Sequence, residues 1–370
     1  MKFVCLRESL VDAINTVSKA VSPRSVLTVI EGIYIKTQEN NTLKLVGNDL
    51  EIGIETEISA EVEHTGSIVL NAKMFGDIIK RLPGSNVEIE VKENKVTTVI
   101  SGQTRFEISG IDSSEFPDLP KFNPDHSIIL TRKSIKDMIN HTKYAVSVNQ
   151  SKPVLTGCLL EVSGEVAKMV AVDGYRMAVR EIKLDTAYED KSVIIPSKAL
   201  NELDKILKDE DEKITLNYTS NHAVFEFDTC KLVTRLIEGE YINYKQIIPK
   251  ENSITLRCAT AEVINSVERV ALVITNEINK SHIKLKIEDN NINVSCETNM
   301  GRAEDNIVVE TGGKDLEIGF NHKFLLDALK ACDTPEVMLR FNESVTPCTV
   351  VPVEGDAFMH LLLPIRLKAD

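Results

Sequence analysis

The side chains of this 370-residue chain that could act as nucleophiles, bases or metal ligands are scattered along it. Ser281 and Lys284 have the S-x-x-K spacing of some acyl-transfer enzymes, but the S-D-N and K-T-G segments that accompany it are missing. The seven histidines stand singly, without H-E-x-x-H, and the seven cysteines form no C-x-x-C pair. The sequence therefore predicts no catalytic centre, no metal site and no cofactor, which favours a binding or scaffold protein over an enzyme.

A carboxylate stands beside a glycine in Asp173-Gly174-Tyr175-Arg176, between two β-prone segments at 169–172 and 177–180. This arrangement predicts a type I′ hairpin turn rather than a catalytic acid. The glycine-rich motifs that bind nucleotides and the G-x-S-x-G motif of hydrolases do not occur in the sequence.

Composition and charge narrow the class of protein. Hydrophobic residues make up 42% and charged residues 27%, as in globular proteins of two or three domains. The formal charge is −13, whereas a protein held on DNA mainly by phosphate contacts is expected to be basic. No apolar run approaches the roughly 18 residues of a membrane span, and Arg7 and Glu8 interrupt the N-terminal segment. We therefore expect a cytoplasmic protein with reduced, mostly buried cysteines.

The elements that position these residues repeat with a period of about 60 residues. In the first repeat a strand at 3–6 precedes a helix with Leu10, Ile14 and Val17 on one face, and three strands follow. We interpret this as a βαβββ unit. The same order begins again at 68, 128, 193, 254 and 316, and the fifth unit is predicted to have Val263, Val267, Val270 and Ile274 on its helix.

Six units predict three tandem domains, at residues 1–120, 127–246 and 252–370, separated by proline-containing linkers at 115–122 and 240–249. The predicted fold class is α+β, with two helices packed on antiparallel sheet in each domain. Basic residues recur on the solvated helical faces: Lys19, Lys73, Lys80, Arg81, Lys133, Lys136, Lys143, Lys198, Lys205, Lys208, Arg269, Lys323 and Lys330. Each is explained singly by solubility, but together they could form a weakly positive lining.

Six segments in this order resemble the bacterial DNA polymerase III beta subunit family, the replicative sliding clamps, over essentially the whole chain. They are Met1 to Phe3, Gly47 to Glu51, Ser101 to Phe106, Glu115 to Pro117, Val172 to Arg176 and Leu363 to Leu367. The resemblance implies three tandem DNA-clamp domains and a head-to-tail dimeric ring, with helices lining the hole and sheets outside. It also implies a non-catalytic processivity subunit that encircles double-stranded DNA without sequence preference.

The resemblance implies two sets of contact residues. Weak DNA contacts are expected from Arg24, Lys73, Lys80, Lys152 and Lys198, although Pro153 and Val154 replace the polar or aromatic groups that the family can have there. The dimer interface is expected to join Arg105, Phe106 and Ile108 of one protomer to Leu272 and Val273 of the next; the alternative is that these five are ordinary core residues.

The resemblance also implies a groove for short linear peptide motifs, with transient, roughly micromolar binding. Its expected lining is Leu155, Val172, Gly174, Tyr175, Arg176, Met177, Ile242, Ile247, Leu361, Leu362, Leu363, Pro364, Ile365 and Arg366. Ile242 stands where a proline is common, Gln246 where a basic residue can occur, and Lys368 to Asp370 extend past the usual end.

The implied partners are the replicative polymerase alpha subunit, the clamp loader delta subunit, and other polymerases and repair proteins, with no membrane partner. Two alternatives come from other classes: a β-rich hydrolase or transferase with a dispersed catalytic site, and a repeat scaffold unrelated to DNA.

Overall fold

A computed structural model describes residues 1–208, 210–274 and 282–367. Its α-helices are α1 (Arg7–Val17), α2 (Ala72–Arg81), α3 (Arg132–Thr142), α4 (Ser197–Ile206), α5 (Thr260–Ala271) and α6 (His322–Ala331). The first strands are β1 (Lys2–Leu6), β2 (Gly32–Thr37), β3 (Thr42–Asn48), β4 (Ile52–Ser59), β5 (Glu61–His64), β6 (Gly66–Asn71), β7 (Asn86–Val91), β8 (Val96–Ser101), β9 (Thr104–Ser109), β10 (His126–Thr131), β11 (Gly157–Val172) and β12 (Arg176–Pro196). The remaining strands are β13 (Lys213–Tyr218), β14 (His222–Phe227), β15 (Cys230–Arg235), β16 (Ile254–Ala259), β17 (Ile283–Glu288), β18 (Asn291–Thr298), β19 (Gly301–Val308), β20 (Glu310–Gly312), β21 (Leu316–Phe320), β22 (Glu336–Phe341), β23 (Cys348–Pro352) and β24 (Phe358–Leu362).

The six predicted helices each follow a strand and precede further strands, which confirms the repeated unit. Helix α2 shows why the pattern folds this way. Its first turn is capped by Asn71, whose Oδ1 accepts a hydrogen bond from the Met74 N–H at 3.0 Å, and Phe75 and Ile79 place apolar side chains on one buried face. Helix α5 is shorter than predicted: it ends at Ala271, so Ile274 lies in the following turn and still packs against the core.

Contacts divide the described residues into two compact units. The first unit contains residues 1–133 and 198–236, with a five-stranded sheet in the order β5-β1-β7-β8-β9 and an eight-stranded sheet in the order β10-β13-β14-β15-β4-β3-β2-β6. In the larger sheet β15 pairs antiparallel with β4, with Leu232 opposite Ile54. Strands from the predicted first and second domains therefore share one sheet.

Helices α1 and α2 pack together in this first unit, and α1 also packs on β3 and β4. Leu10, Ile14, Phe75 and Ile79 are almost completely buried there. The helices approach closely at Gly76, where an added Cβ would lie 3.2 Å from Cγ2 of Ile14. The predicted packing of two helices on antiparallel sheet is confirmed.

The second unit contains residues 134–197 and 237–370. Its sheets have the orders β11-β12-β24-β23-β22-β16-β20 and β19-β18-β17-β21. Strands β11 and β12 form a long antiparallel pair whose register shifts between Val162 and Val166, where Gly164 has a φ of +56°. Helices α5 and α6 pack together over a core that contains Val267, Leu325 and Phe341.

Both predicted linkers pack onto the units instead of crossing solvent. In the first, Phe116 stacks on Tyr34 with ring centroids 5.5 Å apart, and Leu119 packs where a Cβ on Gly53 would stand. In the second, Tyr244 is buried. Phe116, Leu119 and Tyr244 therefore belong to the folded core. None of the helices in the described ranges is both long and apolar enough to cross a membrane.

Candidate functional site

A compact apolar cluster in the second unit contains Leu155, Leu159, Val170, Val172, Met177, Ile194, Tyr244 and Leu361; we call this cluster and the exposed side chains beside it the apolar groove. Strands β11, β12 and β24 supply most of it, with Met177 opposite Leu361 across β12 and β24. Since side chains alternate along a strand, Met177 and Val179 share the face that carries Leu361 and Met359. This periodicity explains why alternate residues of the three strands form one surface.

Large apolar side chains that lie close to cluster residues in the sequence remain exposed. Tyr175 is 64% exposed, and Ile247, Leu363 and Ile365 are each 38–39% exposed. Ile242 packs against the cluster, Pro364 is half-buried, and Gln246 and Arg366 are exposed. Large exposed apolar side chains are typical of a surface that binds another chain.

The hairpin predicted at Asp173 to Arg176 is confirmed, but its turn type differs from type I′. Gly174 has a φ of +95°, while Tyr175 is not among the residues with positive φ. A single positive φ at the first central position is typical of a type II′ turn. Oδ1 of Asp173 accepts hydrogen bonds from the backbone N–H groups of Tyr175 at 2.9 Å and Arg176 at 3.0 Å. The aspartate thus stabilises the turn.

Two residues predicted to line the groove are not members of its apolar cluster. Leu362 is buried in the larger core cluster of the second unit. Arg176 donates to Asp173 at 2.9 Å and to Asp327 at 2.6 Å, and its guanidinium lies 4.4 Å from the ring centroid of Phe324. Strand alternation explains where these two side chains lie. Arg176 and Leu362 are paired across β12 and β24. Each is one residue away from the pair Met177 and Leu361, so its side chain points to the opposite face.

Sequence reasoning missed Leu159, Val170, Ile194 and Tyr244, which complete the cluster. The strand alternation could have indicated the first three, but no local signal places Tyr244 there. The Tyr244 hydroxyl donates to Oε2 of Glu161 at 2.5 Å, and burial, followed by this hydrogen bond, raises the pKa of Tyr244. Lys368 to Asp370 and Ser281 lie outside the described residues.

The basic residues predicted to contact DNA are exposed but differ in their surroundings. Lys73 and Lys80, with Lys19, line an open cleft of about 550 Å³ beside α1 and α2. Arg24 lies in an exposed loop of the first unit and Lys152 in one of the second. Among the residues described, no carboxylate forms a salt bridge with Arg24, Lys73, Lys80 or Lys152.

Lys198 is instead paired within the first unit. Its Nζ lies 2.8 Å from Oδ2 of Asp49 and also contacts a carboxylate oxygen of Glu51. Partial burial lowers the pKa of Lys198, but the hydrogen bonds to the two carboxylates raise it by more. The ammonium is therefore charged but largely neutralised by its neighbours.

The residues predicted for a dimer interface divide into exposed and covered groups. Phe106 is 39% exposed beside Met74 and Ile78, at a shallow cavity of about 400 Å³, and Leu272 is 81% exposed. Ile108 is only 8% exposed, and Val273 packs on the core of the second unit. Arg105 is exposed and donates to Glu107 at 2.7 Å. Phe106 and Leu272 therefore offer the largest apolar surfaces of this set.

Sequence reasoning did not include strand β19 in the predicted interface. Strand β9, which carries Phe106, is at one edge of its sheet, and β19 is at one edge of the four-stranded sheet in the second unit. An edge strand presents unpaired N–H and C=O groups to a partner strand. Whether a strand is central or at an edge depends on pairings distant in sequence, so no local pattern identifies it.

In the part of the chain that the structure describes, Asp137, His141 and Asp333 form a group with the spacing of metal ligands. Arg180 already pairs with both carboxylates, at 2.7 Å to Asp137 and 3.3 Å to Asp333. Burial raises the pKa of Asp137, but hydrogen bonds from His141 and Arg180 lower it by more. A guanidinium in this position makes the group an internal ion cluster rather than a cation site.

The cysteines are free thiols, buried except for half-buried Cys332. Burial raises the pKa of Cys5, Cys158, Cys230 and Cys258 to about 12. These thiols are therefore protonated near neutral pH and poor nucleophiles.

Comparison with known proteins gives matches to one protein family along nearly the whole chain. Three family models match in order: the N-terminal domain of the DNA polymerase III beta subunit over residues 1–120, its central domain over 129–243 and its C-terminal domain over 245–366. The chain is 35% identical to the beta sliding clamp of Staphylococcus epidermidis, covering 99% of both chains. It is 36% identical to the beta sliding clamp of Halalkalibacterium halodurans, covering 99% of this chain and 100% of that one.

Solved structures agree with these matches. The DNA polymerase sliding clamp from Bacillus subtilis superposes with a TM-score of 0.96 at 31% identity, covering 100% of both chains. A DNA polymerase III beta subunit from Eubacterium rectale gives a TM-score of 0.95 at 33% identity, covering 99% of this chain and 100% of that one.

Proposed function

The chain belongs to the DNA polymerase III beta subunit family, and we propose that it is a DNA sliding clamp that encircles duplex DNA and tethers the replicative polymerase and other DNA-processing proteins. The observation that carries this proposal is the ordered match of all three family domains along the chain. The clamp is a non-catalytic subunit of the DNA replication machinery, like the beta sliding clamps that it resembles. The enzyme and unrelated-scaffold alternatives are not favoured.

The net charge of −13 agrees with retention by topology. A closed ring stays on DNA because it is threaded, so it does not need many phosphate contacts, and strong contacts would hinder sliding. Weak, salt-dependent contacts from Arg24, Lys73, Lys80 and Lys152 fit this behaviour. Lys198 is expected to contribute less, because Asp49 and Glu51 already neutralise its charge.

We propose a head-to-tail homodimer in which β9 of one protomer pairs with β19 of the next. Both strands are at sheet edges, and the exposed side chains of Phe106 and Leu272 supply apolar anchors. Two different surfaces in contact make a heterologous interface, which closes into a ring when the rotation allows it. The proposed domain boundaries are 1–120, 127–246 and 252–370, which give six domains in a dimer.

The apolar groove is the proposed site for linear motifs of partner proteins, among them the polymerase alpha subunit and the clamp loader delta subunit. Its exposed Tyr175, Ile247, Leu363 and Ile365 suit the apolar anchors of such motifs. A short motif buries less area than a standard interface, so transient binding is expected, which allows partners to exchange. We place the protein in the cytoplasm, where bacterial DNA is replicated, and assign it no cofactor.

The proposal is tested by loading the full chain onto a nicked circular plasmid with a clamp loader and ATP. We expect the protein to remain bound in high salt and to dissociate once the plasmid is cut at a single site. The proposed function would be contradicted if the protein stayed bound to the linear DNA. It would also be contradicted if adding the protein did not lengthen the products of a polymerase on a long primed template. A Phe106→Ala, Leu272→Ala double variant serves as a matched control for ring closure.

A further inference from the structure

The turn that carries Tyr175 is tied to helix α6 through Arg176. Nη1 of Arg176 donates to Oδ2 of Asp327 at 2.6 Å, and its Nε donates to Oδ2 of Asp173 at 2.9 Å. The guanidinium also lies over the ring of Phe324, another residue of α6, at 4.4 Å from the centroid. The Arg176 side chain is 11% exposed, and its contacts link the turn to the helix.

Asp173 links the Arg176 side chain to the backbone of the turn. The oxygen that does not bind the Arg176 side chain accepts the N–H groups of Tyr175 at 2.9 Å and Arg176 at 3.0 Å. The carbonyl oxygen of Tyr175 then accepts the N–H of Leu363 at 2.9 Å. A continuous series of hydrogen bonds therefore connects Asp327 on α6 with Leu363 on the C-terminal segment.

The end of this series lies in the apolar groove. Tyr175 is 64% exposed and Leu363 is 39% exposed, so both offer surface to a bound peptide. The Tyr175 ring is stacked on Phe324 with centroids 6.0 Å apart. A side chain that is already ordered loses less conformational entropy when a ligand binds, so holding these two residues in place favours binding.

We propose that Asp327 is a positioning residue for the apolar groove: acting through Arg176, it fixes the turn at Asp173 and thereby holds Tyr175 and Leu363 ready for the apolar anchors of a peptide. This inference rests on the proposed peptide-binding role of the groove. Asp327 is not part of the apolar cluster and need not touch the peptide. Its role follows from the charge-assisted hydrogen bond, which is stronger than a neutral one.

The test compares the full-length chain with its Asp327→Ala and Asp327→Glu variants. A fluorescein-labelled ten-residue peptide with a leucine and a phenylalanine anchor reports the Kd by anisotropy, and hydrogen exchange reports the opening of the Leu363 amide. We expect Asp327→Ala to raise the Kd roughly two- to fivefold, because the Asp327 carboxylate is 44% exposed and its ion pair with Arg176 is partly screened by water, and to accelerate exchange at the Leu363 amide. Asp327→Glu should restore part of both, because it keeps a carboxylate near Arg176.

Asp333→Asn is the matched control. It removes the same charge, from a carboxylate that pairs with Arg180 at 3.3 Å rather than with Arg176. If Asp327 contributed only to overall stability, Asp327→Ala would lower the thermal midpoint without a selective increase in hydrogen exchange at the Leu363 amide. Unchanged Kd and unchanged Leu363 exchange in Asp327→Ala would overturn the inference. Failure of the unmodified chain to bind the peptide would refute the groove's proposed function instead, while exchange at Leu363 would still report whether Asp327 holds the turn.

Discussion

Lys198 and Asp49 form an ion pair in which Nζ and Oδ2 are 2.8 Å apart, and Glu51 contacts the same ammonium. A lysine predicted to contact DNA is therefore already held by two carboxylates of its own chain. Lys73 has no such partner among the described residues and lines an open cleft with Lys80. The two lysines should contribute differently to DNA binding, although the sequence pattern treats them alike.

Lys73→Ala should weaken binding to a short duplex more than Lys198→Ala does. Removing one lysine that binds a phosphate reduces the slope of log Kd against log salt by about one, and a lysine that is already neutralised releases fewer counterions. Anisotropy titrations at several low salt concentrations measure both slopes. Lys36→Ala, which removes an exposed lysine from β2, is the control. Equal slopes for the Lys73 and Lys198 variants would contradict this prediction.

Tyr175→Ala combined with Leu363→Ala should weaken peptide binding by tenfold or more without unfolding the protein. Both side chains are substantially exposed, so their removal leaves the core packed, while anchors at a binding surface contribute about 2 kcal/mol each when they are hot spots. Calorimetry with the anchor peptide gives the Kd, and thermal unfolding checks the fold. Val345→Ala removes an apolar side chain that is 56% exposed outside the apolar groove, and it should leave the Kd unchanged.

Phe106→Ala with Leu272→Ala should shift the protein toward monomer. These are the largest exposed apolar groups of the predicted interface, and truncation of a buried aromatic anchor costs about 2 kcal/mol or more. Sedimentation velocity at micromolar concentration measures the shift. The control is Val26→Ala, which changes an exposed residue of a loop. An unaltered dimer in the double variant would refute this interface.

Gly47→Ala should destabilise the first unit. An added Cβ at Gly47 would lie 2.1 Å from the carbonyl oxygen of Val17, at the end of α1, so the backbone would have to move, at a cost of about 1–3 kcal/mol. Gly76→Ala is the matched control, because its nearest neighbour is a side-chain atom of Ile14 at 3.2 Å and alanine favours the helix. Thermal unfolding should show the larger fall for Gly47→Ala; the reverse order would contradict the packing described for β3 and α1.

Acid should destabilise the second unit through His360. Burial, followed by the charges of His141 and Arg180, lowers the pKa of His360 to about 3. In the unfolded chain that pKa is about 6.5, so the unfolded state binds more protons between these values, and the free energy of unfolding falls as the pH falls through that range. The slope from this group is at most about 1.4 kcal/mol per pH unit.

His360→Gln should therefore reduce the pH dependence of thermal unfolding between about pH 4 and 6. His64→Gln is the control, because its imidazole is 69% exposed. Thermal midpoints measured across this pH range for the unmodified chain and both variants test this prediction. The same pH dependence in all three proteins would show that His360 does not titrate differently in the folded and unfolded states.

Strand alternation in the sequence predicts which residues of a groove strand share a face. Val172, Met177 and Leu361 are expected in the groove and lie in its cluster, because a strand with one buried face repeats every two residues. The same rule, applied one residue further, places Arg176 and Leu362 on the opposite face of their strands. Family resemblance includes them, because it identifies a segment more readily than the face on which each side chain lies.

The sequence by itself determined the repeated βαβββ order, the α+β class and the family, because these depend on local periodicity and on ordered motifs. Only the tertiary structure decided that β15 pairs with β4 in one sheet, that Asp49 neutralises Lys198, and that Asp327 holds Arg176. The partners in these pairs are separated by about 150 residues or more. Hydrogen bonds and ion pairs act over a few ångströms, so they depend on where folding brings distant segments, which no local pattern records.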